Sequence, residues 1–491
     1  MDDVYRTVHS FWFSRPDMWF SPSSADDKAI HHSLFRHVAP AMNITPSCQD
    51  DALHIGRIIL LDQVPRHSKR VIGLPSKNIK AYTKTARKIS YSLLERLHDF
   101  TPEKLCFILL PLRHLKCPKD IKRTIDVMKR VRNDTGHSIC TRFLRAAYKD
   151  LLLANNKTKL AISTEANYEY ESVLETGTMD FSIPTALDNR LKHCFHDIPT
   201  YMVSLSGGVD SVLCLVCMLS MGMSPCAVHI NYMNRETSLQ EESFVTDLCR
   251  RLRVKLFVRR FDEIKRNDID RDIYEEVTKL ARFDCYRRIG GKVILGHHRD
   301  DSLENIVSNI SQGKKFNNLR GMDRHMDMLG VHLCRPLLQL GKSDILSFAH
   351  HWGIPYLYDS TRQECTRGRL RKFIPQMDAF DKTLTPGLHK VDRVLHELFL
   401  QLETQCKDIA KQAIQSNNYC SFRIPVDFGA IAWRTLLSSL GFYHISNKSI
   451  DNLVWKITKA PRSRRHMLNK FWEASWEQHD DGYTIEIKQF A

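Results

Sequence analysis

Six residues in a row, Ser206-Gly207-Gly208-Val209-Asp210-Ser211, lie between a short apolar run at 201–205 and an apolar stretch that continues to Met221. Two adjacent glycines allow backbone amides to approach phosphate oxygens closely. Two hydroxyls and the start of a helix converge on the same point, so the segment reads as an anion cradle. It is not a Walker A loop, since it holds no Gly-Lys-Ser/Thr and no lysine for the terminal phosphates. A bare Gly-Gly would read as a plain turn. The whole hexapeptide at a strand-turn-helix junction reads as a ligand loop, with Ser206, Gly207, Gly208, Val209, Asp210 and Ser211 on the phosphates.

Two further constellations stand downstream. In Gly296-His297-His298-Arg299-Asp300-Asp301-Ser302-Leu303-Glu304, Asp301 and Glu304 are three apart at a helix start and share a face. Carboxylates there cap a helix or hold Mg²⁺ against phosphate oxygens, and downstream of an anion cradle the second role is expected. In His229-Ile230-Asn231-Tyr232-Met233-Asn234-Arg235, His229 and Asn231 leave a second apolar run, where α/β folds place ligand contacts.

These residues need a rigid frame. Apolar runs at 201–205, 226–230, 255–258 and 292–296 read as strands, alternating with helical patterns through 221 and at 241–252, 275–288 and 301–312. Such alternation means a doubly wound parallel sheet, with the loops at the carboxyl ends of its strands. Residues 1–155 read as all-helical and 156–190 as a linker. Residues 191–375 form the α/β domain, and 376–491 a smaller, mostly helical α+β region that turns strand-like at 483–487.

The hexapeptide resembles the loop of N-type ATP pyrophosphatases, the PP-loop superfamily with an adenine nucleotide α-hydrolase-like fold. With Gly-His-His-x-Asp-Asp-x-x-Glu and His-x-Asn-x-x-x-Arg, the pattern resembles the tRNA(Ile)-lysidine synthetase family. Ala281-Arg282-Phe283, Asn318-Leu319-Arg320-Gly321-Met322, Arg335-Pro336-Leu337-Leu338, Gly353-Ile354-Pro355, Asp359-Ser360 and Arg367-Gly368-Arg369-Leu370-Arg371 follow in that family's order. Gly368 stands where the family usually has Asn, and Asn305 where Thr is common.

The resemblance implies an ATP-dependent ligase. ATP adenylates the C2 oxygen of the wobble cytidine in an isoleucine tRNA with a CAU anticodon, and the ε-amine of free L-lysine displaces AMP. It implies ATP and Mg²⁺ as cofactors, and Asp210, Arg282, Asp301 and Glu304 as catalytic residues. Asp301 and Glu304 take the metal or the substrate amine, and His229, Asn231, Gly296 and His297 lie near the nucleotide. Arg235, Arg367, Arg369, Arg371, Arg462, Arg464 and Arg465 suit RNA contacts, with Lys372, Lys459, Lys470, Phe471 and Trp472 beside them.

The first region resembles a bacterial family of unknown function with a helical, tetratricopeptide-like fold. The residues that carry this are Phe11-Trp12-Phe13, Trp19-Phe20, Leu60-Leu61-Asp62-Gln63-Val64-Pro65-Arg66 and Leu110-Pro111-Leu112-Arg113-His114. That likeness implies a fold and no activity.

Composition sets the bounds. At 491 residues, with 43% hydrophobic and 26% charged residues, the chain folds as several globular domains. A net charge of +16 points to a polyanion such as nucleic acid. The 14 cysteines are scattered, Cys214 and Cys217 among them in an apolar stretch, which fits core packing in a reducing compartment. There is no long apolar run and the start, Met1-Asp2-Asp3, is acidic, so the expectation is a soluble, cytoplasmic chain away from membranes. Its oligomeric state is left open, a homodimer included. Two other readings remain, tRNA thiolation and a non-catalytic tRNA-binding protein. Residues 301–322 hold no cysteine to carry sulfur, which counts against the first.

Overall fold

Apolar residues at helical spacing organise the first 160 residues into α1 (Asp2–Phe13), α2 (Ser24–Leu34), α3 (Val38–Ala41), α4 (Asp51–Asp62), α5 (Val64–Ile72), α6 (Ser76–Leu93), α7 (Pro102–His114), α8 (Pro118–Thr135) and α9 (Ser138–Lys159). The computed structural model describes residues 1–20, 22–176, 178–196, 198, 201–314, 319, 321–358, 366–416, 418–426, 428–442, 445–459, 465–469 and 472–489. The side chains of 366, 367, 430 and 447 are outside that description. Asn318, Arg320, Asp359, Ser360, Arg462, Arg464, Lys470 and Phe471 lie outside the described residues.

The Leu-Leu-Asp-Gln-x-Pro-Arg run explains itself here. Leu60 and Leu61 are fully buried at the end of α4, and Pro65 sits in the first turn of α5, where its missing N–H costs nothing. Between them Asp62, wholly buried, accepts hydrogen bonds from Gln63 Nε2 (2.6 Å), Arg66 Nη2 (3.0 Å), Thr83 Oγ1 (3.1 Å) and His114 Nδ1 (2.8 Å). A buried carboxylate is tolerated only when its lone pairs are filled in this way. The motif ties α4, α5, α6 and α7 around one charge.

The second layer is a sheet. In chain order come β1 (Ala161–Ser163), β2 (Leu174–Thr176), α10 (Asn189–Phe195), β3 (Met202–Ser204), α11 (Val209–Ser220), β4 (Ala227–Asn231), α12 (Ser238–Arg251), β5 (Leu256–Arg260), α13 (Arg271–Ile289), β6 (Lys292–Ile294), α14 (Arg299–Ser311), β7 (His325–Met328), β8 (Val331–Cys334), α15 (Lys342–His351) and β9 (Tyr356–Leu357). The strand order is β1-β5-β4-β3-β6-β8-β7. Its inner strands β5, β4, β3, β6 and β8 are parallel, and β1 and β7 pair antiparallel at the two edges. Helix α11 is buried from Val212 to Met218, Cys214 and Cys217 included, as expected of a helix covering such a sheet.

Residues 156–190, expected as a linker, are built into this layer. Helix α9 runs on to Lys159, and β1 pairs with β5, Ala161 opposite Val258. β2 pairs with β9. An edge strand buries little, and Ile162 is 54% exposed, so the stretch lacks the apolar signal of an inner strand.

Beyond the sheet come α16 (Thr366–Phe380), α17 (Leu384–Gln412), β10 (Ile414–Ser416), β11 (Tyr419–Pro425), α18 (Ala430–Ser439), α19 (Asn447–Lys459), β12 (Arg465–Met467), β13 (Trp472–His479) and β14 (Gly482–Gln489). The strands form a five-stranded antiparallel sheet, order β10-β11-β14-β13-β12, and its core joins Phe422, Ile485 and Ile487 to Trp433, Leu436 and Leu437 of α18. The region is therefore helix plus sheet, where the sequence reading had a strand only at 483–487. Among the described residues no helix is long and apolar enough to cross a membrane.

Burial pushes His114 down to about 4, against the pull of Asp62, so it stays neutral in the folded protein through the window from 6.5 to about 4. The unfolded chain takes up a proton there and the folded chain does not, so stability falls as pH drops through that window. A melting-temperature series against pH should show this slope. His114→Gln, which keeps an N–H for Asp62 but does not titrate, should flatten it.

Candidate functional site

The parallel strands run outward in both directions from β3 and β6, so the chain reverses its winding between those two strands. Ligands of such folds bind in the crevice at that point, at the carboxyl ends of the strands. The hexapeptide leaves β3 there and Gly296 leaves β6 beside it. A Cβ on Gly296 would lie 2.8 Å from the Asp210 carbonyl carbon and 2.9 Å from the Ser211 nitrogen. Only glycine lets the two backbones touch.

The loop is held by its own hydrogen bonds. Gly207 has φ +91°, and a Cβ there would strike the Leu357 side chain, while its carbonyl accepts from Leu357 N at 2.9 Å. Ser206 N donates to Ser211 Oγ (3.1 Å), the two hydroxyls lie 3.1 Å apart, and Ser211 Oγ donates to the Gly208 carbonyl (2.9 Å). Gly208 caps α11, and Val209 and Asp210 stand in its first turn, whose amides have no partner within the helix.

A lysine reaches this loop from elsewhere. Lys342 Nζ donates to both oxygens of Asp210, at 2.7 and 2.9 Å, and its backbone N donates to Asp300 Oδ2 at 3.0 Å. It opens α15 within Gly341-Lys342-Ser343, the tripeptide that the hexapeptide lacks. Sequence reading confined to the loop missed it. A Gly-Lys-Ser at a helix start, just after Arg335-Pro336-Leu337-Leu338, was the available signal.

The histidine-aspartate constellation folds onto the same loop. His298 is 3% exposed, and its backbone N donates to Asp301 Oδ2 (3.1 Å). Its Nδ1 accepts from Asp300 N (3.3 Å), and its Nε2 lies 3.4 Å from Asp301 Oδ2 and 3.9 Å from Asp210 Oδ1. This ring beside two carboxylates was absent from the residues singled out by sequence. His297 is fixed by Arg335, whose Nε donates to His297 Nδ1 at 3.1 Å and whose Nη1 donates to the Asp323 carbonyl at 2.7 Å.

Beside the loop opens a cavity of about 200 Å³ lined by Ser206, His229, Tyr232, Arg235, Glu241 and Arg282 among others. His229, 4% exposed, gives Nδ1–H to the Leu205 carbonyl at 2.8 Å, and burial lowers its pKa. The ring is thus neutral with Nε2 as an acceptor. Asn231 is consumed by the turn that follows it. Its amide donates to the Ser238 carbonyl (2.8 Å) and Glu242 Oε2 (2.9 Å), and its oxygen accepts from Met233 N (2.9 Å). Arg282 Nη1 donates to Tyr232 Oη at 3.2 Å, and its buried Nε has no hydrogen-bond partner. A half-buried guanidinium with donors to spare suits an anion.

The remaining sequence candidates make other contacts. Glu304, 5% exposed on α14, accepts from Arg371 Nε at 2.9 Å. Arg235 pairs with Glu241 at 3.3 Å, and Arg369 and Arg465 are exposed. Arg367 has only its backbone described, and Arg462 and Arg464 lie outside the described residues. Trp472 is half-buried, edge-on to Phe442 at 5.0 Å. Trp455 faces solvent, 60% exposed on α19, with Lys456 Nζ reaching the Arg465 carbonyl (3.5 Å) next to it.

Residues 183–377 match the family model of the PP-loop domain, and residues 8–163 match that of a bacterial protein of unknown function, DUF924. The tRNA(Ile)-lysidine synthase of Chlamydia muridarum (strain MoPn / Nigg) is 32% identical over 225 residues, 44% of this chain and 70% of that one. The same enzyme of Chlamydia felis (strain Fe/C-56) is 27% identical over 247 residues, 48% and 78% of the two chains. A solved structure, the U34-tRNA thiolase NcsA from Methanococcus maripaludis with its 4Fe-4S cluster, matches at 15% identity and TM-score 0.35, over 43% of this chain and 77% of that one.

Gly296→Ala should force the first turn of α11 away from β6. Overpacking of this kind costs about 1–3 kcal/mol, so the protein should still fold. ATP turnover should fall about 100-fold, because the loop is displaced by an ångström or so. Pyrophosphate release beside a melting curve separates the two effects.

Proposed function

Because the chain belongs to the tRNA(Ile)-lysidine synthase family, we propose that the loop Ser206–Ser211 holds the β- and γ-phosphates of ATP while Arg282 steadies the adenylated base. The protein is a ligase that uses ATP to modify the wobble cytidine of an isoleucine tRNA. The observation that carries the residue assignment is the convergence of the cradle, Lys342 and the Arg282 cavity at one end of β3.

In the first step the cytidine C2 oxygen attacks the α-phosphorus and the bond to pyrophosphate breaks. Negative charge then gathers on the leaving group, and the task is to neutralise it. The first-turn amides of α11 and the Ser206 and Ser211 hydroxyls face it. Lys342 exchanges Asp210 for phosphate oxygens, so its ammonium supplies what a P-loop lysine supplies in other nucleotide folds. In the second step the ε-amine of lysine adds to C2, the C2–O bond breaks, AMP departs with the oxygen, and the nitrogen loses a proton. Neutral His229 accepts a hydrogen bond from the nucleotide through Nε2.

Among the described residues no three His, Cys, Asp or Glu side chains are placed to hold a metal ion by themselves. Mg²⁺ is usually held by one or two carboxylates together with substrate phosphates, and the acidic residues here fit that pattern. On α14, Asp301 and Glu304 are the proposed carboxylates for Mg²⁺ or for the ammonium of lysine. Bound there, Mg²⁺ would neutralise phosphate charge. Arg235, Arg369, Arg371 and Arg465, with Lys459 and the exposed Trp455, are proposed to contact RNA by backbone pairing and base stacking.

The direct test incubates the protein with ATP, lysine and an isoleucine tRNA bearing a CAU anticodon, followed by mass spectrometry of the wobble nucleoside. A lysine adduct on cytidine with stoichiometric AMP is expected. An unmodified or thiolated base would overturn the reading. Lys342→Ala should slow pyrophosphate release about 100-fold, the usual loss for one transition-state donor, with Lys342→Arg recovering part of it.

A further inference from the structure

The helical N-terminal domain reaches α13, the helix that carries Arg282, through a buried amide. Asn156, in the last turn of α9, is 1% exposed. Its Nδ2 donates to the Ala281 carbonyl at 2.8 Å and to Asp284 Oδ2 at 3.2 Å, and its Oδ1 accepts from Arg259 Nε at 2.8 Å. Ala281 is the residue before Arg282 on α13. Asn156 therefore grips the backbone that carries that arginine.

The side chain of Arg282 is held from the same source. Arg259 is fully buried, paired with buried Glu263 at 2.8 Å, and Asn155 Nδ2 donates to that carboxylate at 2.7 Å. The Arg259 guanidinium lies over the Phe261 ring (4.7 Å), Phe261 meets Tyr232 edge to face (5.5 Å, 71°), and Tyr232 Oη accepts from Arg282 Nη1 at 3.2 Å. The contacts close a ring that runs Asn156, Arg259, Phe261, Tyr232, Arg282 and back through Ala281. Exposed ion pairs between the two layers, such as Arg132–Asp270 (3.0 Å) and Arg145–Asp272 (3.1 Å), stand outside this ring.

We propose that the N-terminal helical domain is the scaffold that positions Arg282, with Asn156 as its positioning residue. The domain thus acts on the rate of adenylate formation through α13 and needs no ligand of its own. The inference rests on the reading of Arg282 as an adenylation-site residue. An amide is suited to the place, because it satisfies a carbonyl and a buried guanidinium at once, and loss of either partner leaves a polar group buried and unpaired.

The experiment is tRNA-dependent ATP–pyrophosphate exchange with the full-length protein. Asn156→Ala should lower kcat about tenfold, as expected for a misplaced group, with KM for ATP within about twofold of wild type. Arg282→Ala should lower kcat further, and the double variant should be no slower than Arg282→Ala alone, since both changes remove one arrangement. Arg145→Ala, which breaks only exposed pairs with Asp272 and Glu276, should leave kcat unchanged. If Asn156→Ala fails to fold, Asn156→Asp keeps an acceptor for Arg259 but sets a carboxylate oxygen against the Ala281 carbonyl, and the same loss in kcat is expected. Wild-type kcat in the folded Asn156 variant, or losses that multiply in the double variant, would overturn the proposal. Full activity in Arg282→Ala would instead remove the reading of Arg282, and the inference with it.

Discussion

The active end of this molecule depends on a contact with no side chain in it. Where β6 ends, Gly296 presses against the first turn of α11 at a distance that no Cβ allows. That contact fixes the glycine loop against the histidine-aspartate segment, so Asp210, His298 and Asp301 share one small volume. Charges so close are tolerable because the fold also brings in a cation. Lys342 answers Asp210 from the start of α15, 132 positions along the chain. In the proposed reading, this ammonium exchanges Asp210 for the stronger charge of a phosphate.

A second polar knot, around Asp62, does the same work for the helical domain. Four donors from α5, α6, α7 and the α4–α5 junction fill one buried carboxylate, and each would be costly to leave alone. The knot gives the Leu-Leu-Asp-Gln-x-Pro-Arg run a folding role. The domain's proposed contribution to catalysis then lies elsewhere, in Asn156 and the ring that reaches Arg282.

Much of this was legible beforehand, and the reasons are physical. Inner parallel strands are apolar on both faces, so 201–205, 226–230, 255–258 and 292–296 stand out, and each coincides with a strand to within two residues or so at either end. The glycine loop was legible because strand, turn and helix follow without interruption. Edge strands were not. β1 has an exposed face and three residues, and its identity is decided by β5, to which it pairs across about a hundred residues. In the last region, Cys420, Phe422 and Ile424 do alternate along β11, but seven residues beside a long helical pattern are a weak signal. Lys342 escaped because spacing within a motif says nothing about a partner brought in by topology. His298 was quoted in its motif but given no role, since only the fold reveals that its ring lies beside two carboxylates.

The placement of β1 makes the two halves depend on each other. A sheet edge left open presents unpaired amides and carbonyls to other chains, and natural proteins cover or interrupt it. Here the cover for β5 is the tail of the helical domain, residues 161–163, which lead directly out of α9. The two halves are therefore not a pair of beads on a string. Because the helical half supplies the selvedge of the other's sheet, deleting it would uncover a sticky border as well as remove a domain.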